Sequence, residues 1–193
     1  MTAVALALKE GSQYESYELL KEQVKEWNEL KKKEGFNADK HYDGERAPEY
    51  DKHCRNSQGV LACRTMDLVG LGMTKEVKGI GLDIGCGTGL SSEPMVDRGF
   101  PTIGIDASLS MLEEGMKHGS NRMIDGVLAD MGKPLPFRSG VFSAVTSVAA
   151  VHYLTVASSS GEPPESRLNC LLTELKRTNN AQSICLHFCP LKG

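Results

Sequence analysis

The sequence predicts an α/β fold: a central, mostly parallel sheet with helices packed on both faces. Two observations carry this. From residue 80 onward, apolar strand-like runs alternate with helical stretches, and the first run spills into a glycine-rich loop, "LDIGCGTGLSS", Leu82 to Ser92. Strand–helix–strand repetition needs crossover connections, and these lay helices over both faces of a parallel sheet. The size agrees: 193 residues, 40% hydrophobic and 24% charged, suit one domain with a real core and an extra element attached. The formal net charge of -3 argues against strong nucleic-acid affinity from overall charge, although a local basic patch stays compatible with it.

Taken in order, the first forty residues form an extension. Within it, "SYELLKEQVKEWNELKKK" spaces Tyr17, Leu20, Val24, Trp27 and Leu30 near a helical period, so an amphipathic helix is expected over Ser16 to Lys33, stopped by Gly35. It packs on the domain or extends from it; the sharper alternatives use Lys31, Lys32 and Lys33 on phosphate, or the Trp27 face on a partner. Asn37 to Gly59, polar and dotted with aromatics, reads as loop. "VLACRTMDLVGLG" reads as a helix ending at Gly70 and Gly72. Strands follow near Ile80–Ile84, Thr102–Ile105, Gly126–Ala129, Val141–Val148 and Ser183–Phe188. Helices are expected near Ser91–Asp97, Ser110–His118 and Glu165–Arg177. Thr155 to Ser166 is a loop-rich insertion whose Pro163-Pro164 pair is expected to forbid regular structure; it lies over the cleft or forms a plain surface connection. In such sheets ligands bind at the carboxyl ends of the strands.

The six cysteines form no C-x-x-C pair and no zinc-finger spacing, so no metal ligands are expected and reduced thiols are the simpler reading. The opening "MTAVALALKEG" lacks the basic segment of a signal peptide. No stretch approaches the roughly 20 apolar residues that span a bilayer, and no membrane association is expected.

Three ligands compete for the glycine loop. A phosphate-binding P-loop needs G-x-x-x-x-G-K-[ST], and no such string occurs. A dinucleotide fingerprint, G-x-G-x-x-G/A, counted from Gly85 puts Leu90 at its last position, where leucine obstructs helix–strand packing. The remaining form is strand, Asp83, then Gly85, Gly87 and Gly89, a tight bend that admits the amino-acid portion of an adenosyl ligand. The next strand ends in Asp106-Ala107, about 20 residues on, where an acid can bond paired ribose hydroxyls. The third ends in Asp130-Met131, placing a carboxylate for the adenine amino group and a side chain against the ring. Each alone is weak, since Asp often ends a strand merely to cap a helix. In series they point to S-adenosylmethionine.

With "GIDASLSMLEEG" and "ADMGKPLPFRSGVFSAVTSVAAVHYL", the loop resembles the class I S-adenosylmethionine-dependent methyltransferases, whose Rossmann-like sandwich the chain is expected to adopt. "RNS" at Arg55–Ser57, the "DMG…PF…G.F" run from Asp130 to Phe142 and "PP..RL" at Pro163–Leu168 are similar to the eukaryotic 18S ribosomal RNA (guanine-N7)-methyltransferases. The resemblance covers roughly Tyr42 to Pro190, so the domain is expected over residues 41–193. It implies methylation of guanine N7, in small-subunit RNA or a pre-40S particle. It also implies a small zinc-binding activator subunit docked on the edge strand around Met123 to Leu128, and action in the nucleus, nucleolus and cytoplasm. N7 has a free lone pair, so positioning matters and no general base is required. His152 and Tyr153, where the family more often carries Gln-Trp, are expected at the acceptor, with core filling as their other reading. Arg55 is a candidate for the cofactor carboxylate or an RNA phosphate, or for a surface ion pair. Cys86 sits among the cofactor loop residues, and its thiol is assigned to packing. The resemblance further implies a C-terminal hairpin beyond Phe188; the chain reads as truncated there, leaving the last strand an exposed edge unless a partner completes the sheet. A small-molecule methyltransferase and a non-catalytic cofactor-binding assembly factor are the alternatives.

Overall fold

The computed structural model describes residues 4–8 (backbone), 42, 46–68, 79–118, 122–155, 161–180 and 184–188. Strands β1 (Val4–Leu8), β2 (Ile80–Ile84), β3 (Thr102–Asp106), β4 (Asp125–Leu128), β5 (Phe142–Val148) and β6 (Ile184–Phe188) form one sheet in the order β1-β6-β5-β2-β3-β4. Strands β2 to β6 are parallel, and β1 runs antiparallel to β6. Around them lie helices α1 (Arg46–Leu68), α2 (Glu93–Asp97), α3 (Leu109–Met116) and α4 (Pro164–Thr178), with a 3-10 turn at Val151–Thr155. The chain starts the parallel part at β2, moves outward to β4, then returns to β5 on the other side. That reversal opens a crevice at the carboxyl ends of β2 and β5.

The central strands are apolar on both faces because helices cover both. Leu82, Ile84, Val145, Leu186 and Phe188 pack with Leu168, Leu171 and Leu175 of α4, while Ala144 faces Met66 of α1 and Met95 of α2 on the other side. A side chain at Gly81 would come within 2.5 Å of the Met95 methyl, so the glycine lets α2 lie close to β2.

Four expectations are corrected. Asn37–Gly59 is not all loop, because α1 begins at Arg46 and runs for 23 residues. Its buried residues are only Ala47, Ala62, Thr65 and Met66, so the helix shows little apolar periodicity, and Pro48 lies in the first turn, where a missing N–H costs nothing. The Pro163-Pro164 pair does not prevent structure: Pro163 is the extended cap (φ -60°, ψ 137°) and Pro164 opens α4 with its preset φ. Strand β6 is not an exposed edge, since β1 pairs along it from Val4 opposite Phe188 to Leu8 opposite Ile184. Residues 4–8 of the expected extension therefore belong to the sheet. The helix expected over Ser16–Lys33 and the stop at Gly70 and Gly72 lie outside the described residues.

Candidate active site

Strand β2 ends at Ile84, and the chain turns back through Gly85 (φ +69°) and Gly87 (φ +55°), a left-handed backbone that glycine adopts without strain. The amides of Gly85 and Cys86 both donate to the Ile105 carbonyl, at 2.8 and 3.0 Å, which ties the bend to β3. A side chain at Gly85 would sit 2.2 Å from Cβ of Ala150, and one at Gly87 2.9 Å from the Met111 methyl. The bare backbone thus forms one wall of an open cleft that Asp106, Met131 and Tyr153 also line.

Asp106, at the end of β3, faces this wall. Its Oδ2 accepts the Gly87 amide at 2.8 Å and its Oδ1 the Ser108 amide at 2.9 Å. Burial pushes the carboxyl up from its usual range, opposed by these amide bonds. Ala107 and Met131 line the same cleft, as does Asp130 at the end of β4. The Asp130 carboxylate is already engaged: Nη2 of Arg167 donates to Oδ1 at 2.9 Å and Oδ2 at 3.1 Å, and the Gly132 amide to Oδ1 at 2.8 Å. Ala149, at the end of β5, holds φ 53°, an uncommon conformation for a residue with a side chain and one that gathers at ligand sites.

Tyr153 also lines the cleft, and its hydroxyl meets that of Tyr42 at 2.7 Å. The two rings stand edge to face at 5.9 Å, and Tyr42 meets Tyr50 in the same manner at 5.5 Å. Burial raises both the Tyr42 and the Tyr50 phenols, which stay protonated as donors.

Not every expected residue reaches the cleft. His152 is buried beneath Tyr153, its ring 4.3 Å from Tyr153 and edge-on to Phe188 at 5.8 Å, so of that pair only Tyr153 faces the ligand space. Arg55 is exposed on α1 and pairs with Glu93 at 3.5 Å. Asp83 lies fully buried behind the glycine bend, accepting the Ser91 and Ser92 hydroxyls at 2.6 Å each, and holds the loop rather than lining the cleft. Cys86 packs with Leu112 and Met123, and Gly89 lies against Met123 and Arg122.

Tyr42, Tyr50, Arg122 and Arg167 have structural roles that sequence reasoning missed. The tyrosines fall in the segment that reads as loop, and Arg167 stands out in the sequence only as part of "PP..RL". Arg122 is 1% exposed; it binds Asp51 at 2.6 Å, Glu93 at 2.9 Å and the Thr88 carbonyl at 2.9 Å. It clamps α1 and α2 onto the glycine loop. Burial works to raise the Asp51 carboxyl, but bonds from Arg122 and Thr88 hold it below its usual range.

Residues 82–177 match the family model of a methyltransferase domain. Over 94 residues, 49% of this chain, the sequence is 42% identical to the 18S rRNA (guanine-N(7))-methyltransferase of Bos taurus. Over 140 residues, 70% of this chain, it is 36% identical to the 18S rRNA (guanine-N(7))-methyltransferase RID2 of Arabidopsis thaliana. The chain belongs to the class I S-adenosylmethionine-dependent methyltransferases. Its fold agrees with the methyltransferase solved in complex with the Haloferax volcanii Trm112 activator (TM-score 0.51, 20% identity, covering 68% of this chain and 52% of that one). The methyltransferase spans 33% of the bovine protein's length and 47% of the plant protein's. Its cleft suits the family's cofactor: a glycine wall that side chains would fill, then an acid at each of the next two strand ends.

Proposed function

We propose that this chain binds S-adenosylmethionine and transfers its methyl group to guanine N7 in small-subunit ribosomal RNA. The observation that carries the reading is the hydrogen bond that the Gly87 amide donates to Asp106, which joins the glycine wall to the carboxylate suited to a ribose diol. When bound, the cofactor supplies an electrophilic methyl carbon on a sulfonium. Its transfer to the guanine N7 lone pair would leave the S–C electron pair on sulfur. No proton leaves N7, so the protein's work is approach geometry and exclusion of water. Gly85 and Gly87 would admit the amino-acid end, Asp106 would orient the ribose, and Asp130 and Met131 would meet the adenine. Tyr153 offers a ring to a splayed base, held by the Tyr42 hydroxyl. His152 supports that ring from beneath and does not touch the acceptor.

The β4 edge supports a protein partner. Leu128 and Ile124 are 56% and 50% exposed there, with Leu109 and Met116 of α3 alongside. An activator of the Trm112 kind that adds a strand would cover them. Action on ribosomal RNA implies a nuclear or nucleolar location.

Calorimetric titration with S-adenosylmethionine, followed by transfer of labelled methyl to 18S RNA with and without the activator, tests the reading. Asp106→Ala is expected to weaken cofactor binding by about 1–3 kcal/mol. Unchanged affinity removes Asp106 from the site, and labelling of a metabolite pool but not RNA rejects the substrate.

A further inference from the structure

Arg167 lies in the first turn of α4, where its amide donates to the Pro163 carbonyl at 3.2 Å. The residue is 5% exposed, yet it lines the cleft. Its bonds converge on one group: Nη2 reaches both oxygens of Asp130, while Nε is buried without an acceptor among the described residues. A buried guanidinium with an unused donor is costly, and its position is held by packing. Gly132 leaves room for it, since a side chain there would come 2.6 Å from Nε and 3.1 Å from Cβ of Arg167.

We propose that Arg167 is a positioning residue for the purine end of the cofactor, aligning the Asp130 carboxylate so that the enzyme selects a 6-amino over a 6-oxo purine. This rests on the cofactor reading above. A carboxylate has about four lone-pair sites. Two donors on Oδ1 and one on Oδ2 leave the free acceptor direction chiefly on Oδ2. An exocyclic amino group satisfies that acceptor, whereas an oxo group sets two lone-pair oxygens against each other. Without Arg167 the carboxylate loses its alignment and can rotate to relieve that conflict. Arg167 also fastens the start of α4 to the cofactor wall, linking the segment after the acceptor turn to base recognition.

The test compares binding of S-adenosylhomocysteine and S-inosylhomocysteine by calorimetry to the whole chain and to its Arg167→Met and Arg167→Lys variants. The natural chain is expected to prefer the adenosyl compound at least tenfold. Arg167→Met should bring the preference to threefold or less, chiefly by weakening the adenosyl compound, and Asp130→Asn should show no further loss when Arg167→Met is added. Equal weakening of both compounds, or an unchanged preference, overturns the role of Arg167 while leaving the cofactor reading intact. No binding by the natural chain overturns both. If Arg167→Met fails to fold, Arg167→Lys, which keeps the charge but not the planar fork, carries the comparison with a partial loss of preference expected.

Discussion

Asp83 illustrates how one side chain can set a property of the entire fold. Burial raises its carboxyl to about 6, against the Ser91 and Ser92 hydroxyls that favour the charged form, and its Oδ1 has no hydrogen-bond partner among the described residues. The folded state therefore keeps this proton to a higher pH than the unfolded chain does. Its contribution to stability is fully present below about pH 4 and is lost as pH rises through about 6, amounting to about 3 kcal/mol. Asp83→Asn keeps the shape and removes the titration. Chemical denaturation at pH 4.5 and 7.5 should show the natural chain losing more stability than the variant over that interval. The same loss in both would clear Asp83 of the effect. Sequence reading placed Asp83 correctly at the strand end. Its work in the loop, and not in the cleft, depends on how Ser91 and Ser92 fold back over it.

At the level of the element, the glycine loop is shaped by clearance. Gly85 needs φ +69° and has Ala150 where its side chain would be. Gly85→Ala is expected to cost about 1–2 kcal/mol for the left-handed backbone and about 1–3 kcal/mol more for the collision. Ala150→Gly in the same chain should recover only the second part. Urea unfolding checks both, and a Gly85→Ala chain within 0.5 kcal/mol of the natural one would mean that the bend differs from this description. The need for glycine at this bend was legible in the sequence, because φ is a property of the local chain. The first half of helix α1, Arg46 to Gly59, was not, because Ala47 is its one buried residue and its position depends on a buried cation, Arg122, brought to Asp51 from 71 residues away.

For the molecule as a whole, β1 decides how the sheet ends. Paired along β6, it hides a row of backbone groups that would otherwise template association. Deleting residues 1–10 should lower Tm by several degrees, as loss of 1–2 kcal/mol does in a domain of this size, and should promote self-association visible by light scattering. A deletion chain with unchanged Tm and unchanged mass would show that β1 adds nothing to the sheet. The sheet thus ends in the antiparallel β1 at one edge and in β4, beside which the apolar side chains of Ile124 and Leu128 stay exposed, at the other.

By itself the sequence determined the alternating α/β pattern, the glycine bend and the acids at successive strand ends. These follow from periodicity and backbone sterics within a few residues. Only the tertiary structure decided that Tyr42 reaches Tyr153 across 111 residues, that Arg167 holds Asp130 across 37, that His152 is packed beneath the cleft, and that the first strand pairs with the last. Each of these is a pairing between distant segments. Such pairings gain their free energy from shared burial, which no local pattern of residues encodes.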